Sequence, residues 1–171
     1  MDQQPAVDAA PTVYRYRLGS ADVGYARQMF SADYYRWASR AWGTWQLDAG
    51  MPLRRMILEL GIGLPTSETR GHHLAPIACG DEFTVELGVR DLSARGLVSD
   101  FEFVRVRDGK LAAHGYFVRR FVAMESMRPC ASLPDVLERV FGAMAAQTRL
   151  RPYPERRAEL QRDARVPAGP A

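Results

Sequence analysis

The stretch from Phe30 to Gly50, FSADYYRWASRAWGTWQLDAG, constrains the fold of this chain more than any other. Phe30, Tyr34, Trp37, Ala38, Ala41 and Trp45 recur at spacings of three and four, which puts them on one stripe of an α-helix. Asp33, Arg36, Arg40 and Thr44 fall largely off that stripe. Ser31 suits the N-cap position, Phe30 could staple against Tyr35, and Asp33 complements the positive end of the helix dipole. Gly50 followed by Pro52 is a stop signal. All 3 tryptophans lie in this helix, and rings of that size require a deep partner surface. The β-rich stretch that follows is expected to provide it.

Around this helix the patterns are mostly those of strands. Val13–Leu18 alternates apolar and basic residues, as a strand with one buried face does. A glycine-rich loop, GSADVGYARQM, leads into the helix, and Leu53–Leu60 reads as a second, short helix behind Pro52. Leu64–Leu74 is a strand with an unusual composition. Pro65, Ser67, Thr69 and Gly71 form one face, small enough for an indole to press on; Thr66, Glu68, Arg70 and His72 form a polar face. Glu82–Arg90 alternates cleanly. Leu97–Arg107 changes its apolar face after Phe103, which predicts a bulge there. Asp108-Gly109 predicts a hairpin turn into a last long strand, Lys110–Met124. Pro134 opens a final helix to about Thr148, with Val136, Leu137, Val140, Phe141 and Met144 apolar. The order predicts an α+β domain over residues 13–148, an antiparallel sheet curled around one long helix. Residues 1–12 read as disordered and 149–171 as a flexible basic tail.

Composition excludes several function classes. The 171 residues suffice for one domain with its own core. The net charge is +3, the arginine-rich tail supplies much of the excess, and acids interleave with bases elsewhere, which argues against a nucleic-acid partner. Cys79 and Cys130, the 2 cysteines, lack metal-ligand spacing, so neither a metal nor a disulfide framework is expected. No apolar run reaches membrane-spanning length, and the polar start MDQQPAVDAAP does not read as a signal peptide. The expectation is a cytoplasmic protein without a cofactor.

An ordered set of short matches resembles the hot-dog-fold acyl-CoA thioesterases, in particular the 4-hydroxybenzoyl-CoA thioesterase group. The matches are Tyr34, Arg36 and Trp37 in DYYRW; Ala49-Gly50-Met51-Pro52; Gly63 and Pro65; His73-Leu74-Ala75-Pro76; Gly80-Asp81 with Val85-Glu86; and Asp108-Gly109. The resemblance implies hydrolysis of an acyl-CoA or acyl-carrier-protein thioester by a homodimer or homotetramer. It places the thioester carbonyl on the free N–H groups at the start of the long helix, near Ser31, with a loop carboxylate as nucleophile or base. The three indoles suggest an aromatic or polyketide-like acyl group.

The loop departs from the family pattern, roughly Asp-x-Asp-x-x-Gly with the second Asp catalytic. Counted back from Trp37 without gaps, Asp22 matches the first Asp, Gly24 falls on the catalytic Asp and Arg27 on the glycine. A two-residue slip would bring Asp22 onto the catalytic position. Three readings stay open: Asp22 is the working carboxylate; Glu68, His72 or His73 on the next strand replaces it; or the fold has lost hydrolysis and acts as a dehydratase, cyclase or acyl-binding protein. His114 reads as structural. Tyr34 and Arg27 are candidates for contact with the substrate, Arg27 through a carboxylate or phosphate. Ser93 and Arg95 sit where family members meet the nucleotide phosphates of CoA.

Overall fold

The computed structural model describes residue 10 and residues 12–150. Most of the expected irregular start and basic tail therefore lies outside the described residues. Of the start, Ala10 is buried and the Thr12 carbonyl accepts from the Leu87 N–H at 2.8 Å, so paired backbone begins ahead of residue 13.

Strands β1 (Val13–Arg17), β3 (Thr66–His73), β4 (Glu82–Ser93), β5 (Gly96–Arg105) and β6 (Lys110–Arg120) form one antiparallel sheet in the order β1-β4-β5-β6-β3. Helix α1 (Ser31–Asp48) packs across it, followed by α2 (Leu53–Leu60) and, at the end, α3 (Asp135–Gln147). Two-residue strands β2 (Ile62–Gly63), β7 (Val122–Ala123) and β8 (Arg128–Pro129) make a small second sheet. The alternation in β4 is realised fully: Phe83, Val85, Leu87 and Val89 are all buried. The change of face in β5 is a register shift against β6 between Phe103 and Val104. The hairpin at Asp108-Gly109 uses a left-handed Gly109 with φ of 65°.

Four expectations need correction. Ser31 is the first helical residue, not the N-cap; Phe30 occupies that position, exposed and off the buried stripe, with no side-chain capping bond. The indoles do not all meet the sheet. Trp37 does, edge-on to Phe83 at 5.3 Å and 4.9 Å from Tyr16. Trp45 packs on Phe141 of α3 at 5.6 Å, and Trp42 lies between Phe141, at 6.0 Å, and the Arg119 guanidinium of β6, at 4.7 Å. The small face of β3 accommodates Tyr35 rather than an indole: a Cβ at Gly71 would come within 2.8 Å of the Tyr35 hydroxyl oxygen. Finally, the last long strand stops at Arg120. Phe121 is fully buried and the next two residues pair with β2, a change of partner that apolar periodicity does not register.

Among the described residues no helix is long and apolar enough to cross a membrane.

Candidate active site

The loop between β1 and α1 is held at both limbs. Its outgoing limb is tied to the turn before β4, through Leu18 N–H to the Asp81 carbonyl at 2.9 Å. A 3₁₀ turn, Ser20–Asp22, follows, and Val23 then bridges Met29 in antiparallel fashion. The tip is a turn closed by Arg27 N–H to the Gly24 carbonyl at 2.9 Å. Arg27 takes a φ of 52°, the left-handed conformation that glycine adopts freely. The returning limb is stitched to residues 77–79 by Met29 N–H to the Ile77 carbonyl and Cys79 N–H to the Arg27 carbonyl, each 2.8 Å.

This loop delivers α1 with an open N-terminus. The first N–H groups of a helix have no intrahelical partner, no side chain caps this end, and Ser31 and Ala32 are exposed. His73, at the end of β3, meets the first turn of this helix: its imidazole N–H donates to the Ser31 carbonyl. Its ring lies 4.8 Å from that of Tyr34, edge to face, and 6.1 Å from that of Tyr35. Desolvation against these neighbours lowers the His73 pKa below 6.5; the Ser31 bond opposes this and the nearby His72 adds to it. The imidazole is therefore mostly neutral at pH 7 and able to accept a proton.

Behind His73 a buried clamp fixes the segment Ala75–Ile77. Tyr34 donates its hydroxyl to the Ala75 carbonyl at 3.3 Å, and burial raises its pKa, so it stays a neutral phenol. Arg105 donates to the Pro76 carbonyl at 2.5 Å and forms a two-pronged pair with Asp108, at 3.0 and 2.6 Å. That guanidinium holds the Asp108 carboxyl down at about 2. Since residues 77–79 in turn pair with residues 27–29, the clamp sets the position of the helix start. Sequence reasoning missed Arg105; its i,i+3 spacing to Asp108 was the available signal.

Ser31 and His73 are thus brought to one end of α1; Asp22 ends the 3₁₀ turn of the preceding loop, its carboxylate beside Gly19, and the remaining candidates lie elsewhere. Tyr34 is buried and spent on the clamp. Glu68 faces away from the helix on the same side of β3 as His72, accepting from the Tyr116 hydroxyl at 2.7 Å and paired with Arg70 at 3.0 Å. His72 packs 5.7 Å from the His114 ring on that outer face, and His114 is buried. Arg27 is exposed at the loop tip. Ser93 and Arg95 occupy the β4–β5 turn, closed by the Ser93 hydroxyl to the Gly96 carbonyl at 3.3 Å. That turn is the far end of β4 from the helix start, on the order of 35 Å of strand away. Among the described residues no group of three or more His, Cys, Asp or Glu could hold a metal.

A sheet curled over one long helix, with an uncapped helix start at its end, is the hot-dog architecture. Solved structures agree on the fold. A 1,4-dihydroxy-2-naphthoyl-CoA thioesterase from Synechocystis matches at 21% identity over 77% of this chain and 95% of its own, with a TM-score of 0.70. A Staphylococcus aureus protein solved in complex with CoA matches at 19% over 84% and 89%, TM-score 0.75. A gentisyl-CoA thioesterase matches at 23% over 74% and 98%, TM-score 0.64. No curated protein matches the sequence. The model of the thioesterase-like superfamily matches residues 18–141, and the chain belongs to that family.

Proposed function

We propose that this protein is a thioesterase that hydrolyses an acyl-CoA thioester at the N-terminus of α1, with His73 as general base. The observation that carries the reading is the contact of the His73 imidazole with the Ser31 backbone. It puts a mostly neutral imidazole, donating one N–H to the Ser31 carbonyl, on the first turn of the helix whose free N–H groups would hold a thioester carbonyl. In the reaction a water oxygen bonds to the carbonyl carbon while its proton passes to His73. The oxyanion rests on the Ser31 and Ala32 N–H groups. On collapse the C–S bond breaks, the acyl group leaves as a carboxylic acid and the sulfur leaves as the thiol, taking up the proton from His73. Asp22, in the 3₁₀ turn of the loop that leads to this helix, is the carboxylate assigned to orient the water. CoA is favoured over a carrier protein by the S. aureus relative solved with CoA and by two CoA-thioesterase relatives. A carrier-bound or polyketide acyl group is the finer alternative; one structural relative is the dynemicin thioesterase, described with a bound polyene. Ser93 and Arg95 reach a thioester only if a second copy brings its own turn to this helix end.

A second reading rests on Gly24. The ungapped register puts glycine where the family keeps its acid, so the fold could serve a non-hydrolytic dehydratase, cyclase or acyl-binding role. Thiol release from a panel of short, long and aromatic acyl-CoAs decides between them. The parent should hydrolyse at least one of them and His73→Gln should lose about 10²-fold. Absence of thiol release across the panel would favour the second reading.

A further inference from the structure

The last described residues lie on the sheet. Thr148, after α3, accepts the Val89 N–H on its Oγ1 at 2.8 Å, capping the part of β4 that β1 leaves unpaired. Its Cγ2 and the Leu150 Cδ1 lie 2.6 and 3.5 Å from where a Cβ on Gly88 would stand, so glycine makes room for the departing chain. Gly88 sits between Leu87 and Val89, both buried on the inner side of β4. Strand alternation therefore puts this contact on the sheet face turned away from α1.

That outer face carries acids at its centre. Phe103 and Phe101 of β5 meet Tyr34 and Tyr35 of α1 on the inner side, which turns Asp100 and Glu102 outward. Glu86 of β4 stands directly across from Glu102, and Gly88 across from Asp100. Like charges opposite one another on a ladder destabilise it. Arg15, Arg70 and Arg90 of the same face are engaged with other acids: Arg15 with Glu82, Arg70 with Glu68, Arg90 with Asp91 and Asp100. Glu86 and Glu102 are both partly exposed, so a cation arriving from solvent reaches them. The sequence after Leu150 begins RPYPERR, with Arg151, Arg156 and Arg157 against Glu155 alone. Pro152 and Pro154 favour an extended backbone of about 3.1 Å per residue, so Leu150 to Arg156 can span about 19 Å. β3 lies three strand spacings from β4, about 14 Å.

We propose that residues 151–157 form a strap over the outer face of the sheet, with Arg151 on the Glu86–Glu102 pair and the Arg156-Arg157 doublet carried across β5 and β6 toward Glu68. The strap neutralises the acid pair and covers a face on which a second sheet could otherwise stack. It lies on the opposite side of the sheet from α1 and does not depend on the thioesterase reading.

The test is trypsin cleavage of the full chain after Arg156 and Arg157, followed by mass spectrometry and set against a synthetic peptide of residues 149–171. Cleavage is expected to be about tenfold or more slower in the full chain, because a docked segment is cut only when it opens. Glu86→Gln combined with Glu102→Gln should bring the rate close to that of the peptide, with circular dichroism unchanged. Arg151→Gln and high salt should do the same. The acid variant removes a like-charge pair and should keep the fold; if it does not, Arg151→Gln decides alone. Cleavage of the parent at the rate of the peptide, or slow cleavage that a folded variant leaves unchanged, would overturn the proposal. Protection lost on dilution would overturn it too, since the occupant would then be the tail of a second copy.

Discussion

The imidazole of His73 hydrogen-bonds the backbone of Ser31 and lies edge to face with Tyr34, ring centres 4.8 Å apart. One edge of the base is thus fixed by an aromatic wall that is itself anchored to the Ala75 carbonyl. The pH dependence of hydrolysis should report this. Burial lowers the His73 pKa, so the folded imidazole gains its proton only below the usual 6.5. The acid limb of kcat/KM is expected below pH 6.5, and it should disappear in His73→Gln along with most of the rate. A limb above 7 would argue against His73 as the base.

The same shift has a consequence for stability. Above pH 6.5 both folded and unfolded histidines are neutral, and His73 contributes no pH dependence. As pH falls through 6.5 the unfolded chain binds the proton first, so stability is lost down to the lower folded pKa. Urea midpoints from pH 8 to 5 should fall less steeply in His73→Gln than in the parent.

Gly24 offers a gain-of-function test. A Cβ there meets nothing within 4 Å, and its φ lies outside the left-handed region. Gly24→Asp should therefore fold normally and, if the ungapped register is correct, raise thioester hydrolysis by about tenfold or more. An unchanged rate would count against the ungapped register and leave His73 as the base.

Trp37 is 6% exposed and wedged between Tyr16 and Phe83. Trp37→Ala should destabilise by about 3–5 kcal/mol, read as a lower urea midpoint at constant slope. Retained stability would mean the indole faces a pocket.

β3 is one of the two edges of the five-stranded sheet, and residues 66–70 are all exposed. An unpaired edge of this length is a template for strand addition, and a two-fold axis beside it closes the sheet onto a second copy. The protein should sediment as a dimer or larger at micromolar concentration. Glu68→Pro, which removes an N–H on this strand, should shift it toward monomer; a monomeric parent would refute the pairing.

What the sequence determined was local. The bounds of α2, the bulge after Phe103, the hairpin at Asp108-Gly109 and the alternation of β4 follow from periodicity and turn chemistry, which act between near neighbours along the chain. The opposite facing of His72 and His73 follows from strand geometry in the same way. Ser31 was legible as a helix start, though not its exact position, because Phe30 supplies the extended backbone of a cap without supplying the usual side-chain bond. The tertiary structure decided which elements meet. Trp42 and Trp45 needed a large apolar partner, but an amphipathic pattern does not say whether that is the sheet or Phe141 of α3. Arg105 and Arg119 read alike as strand arginines. One has Asp108 to neutralise it and clamps the backbone beside the helix start; the other is buried against Trp42 with neutral partners. That difference arises from which strands pair and in what register, and it is fixed by closing long loops around a shared core, which no single segment encodes.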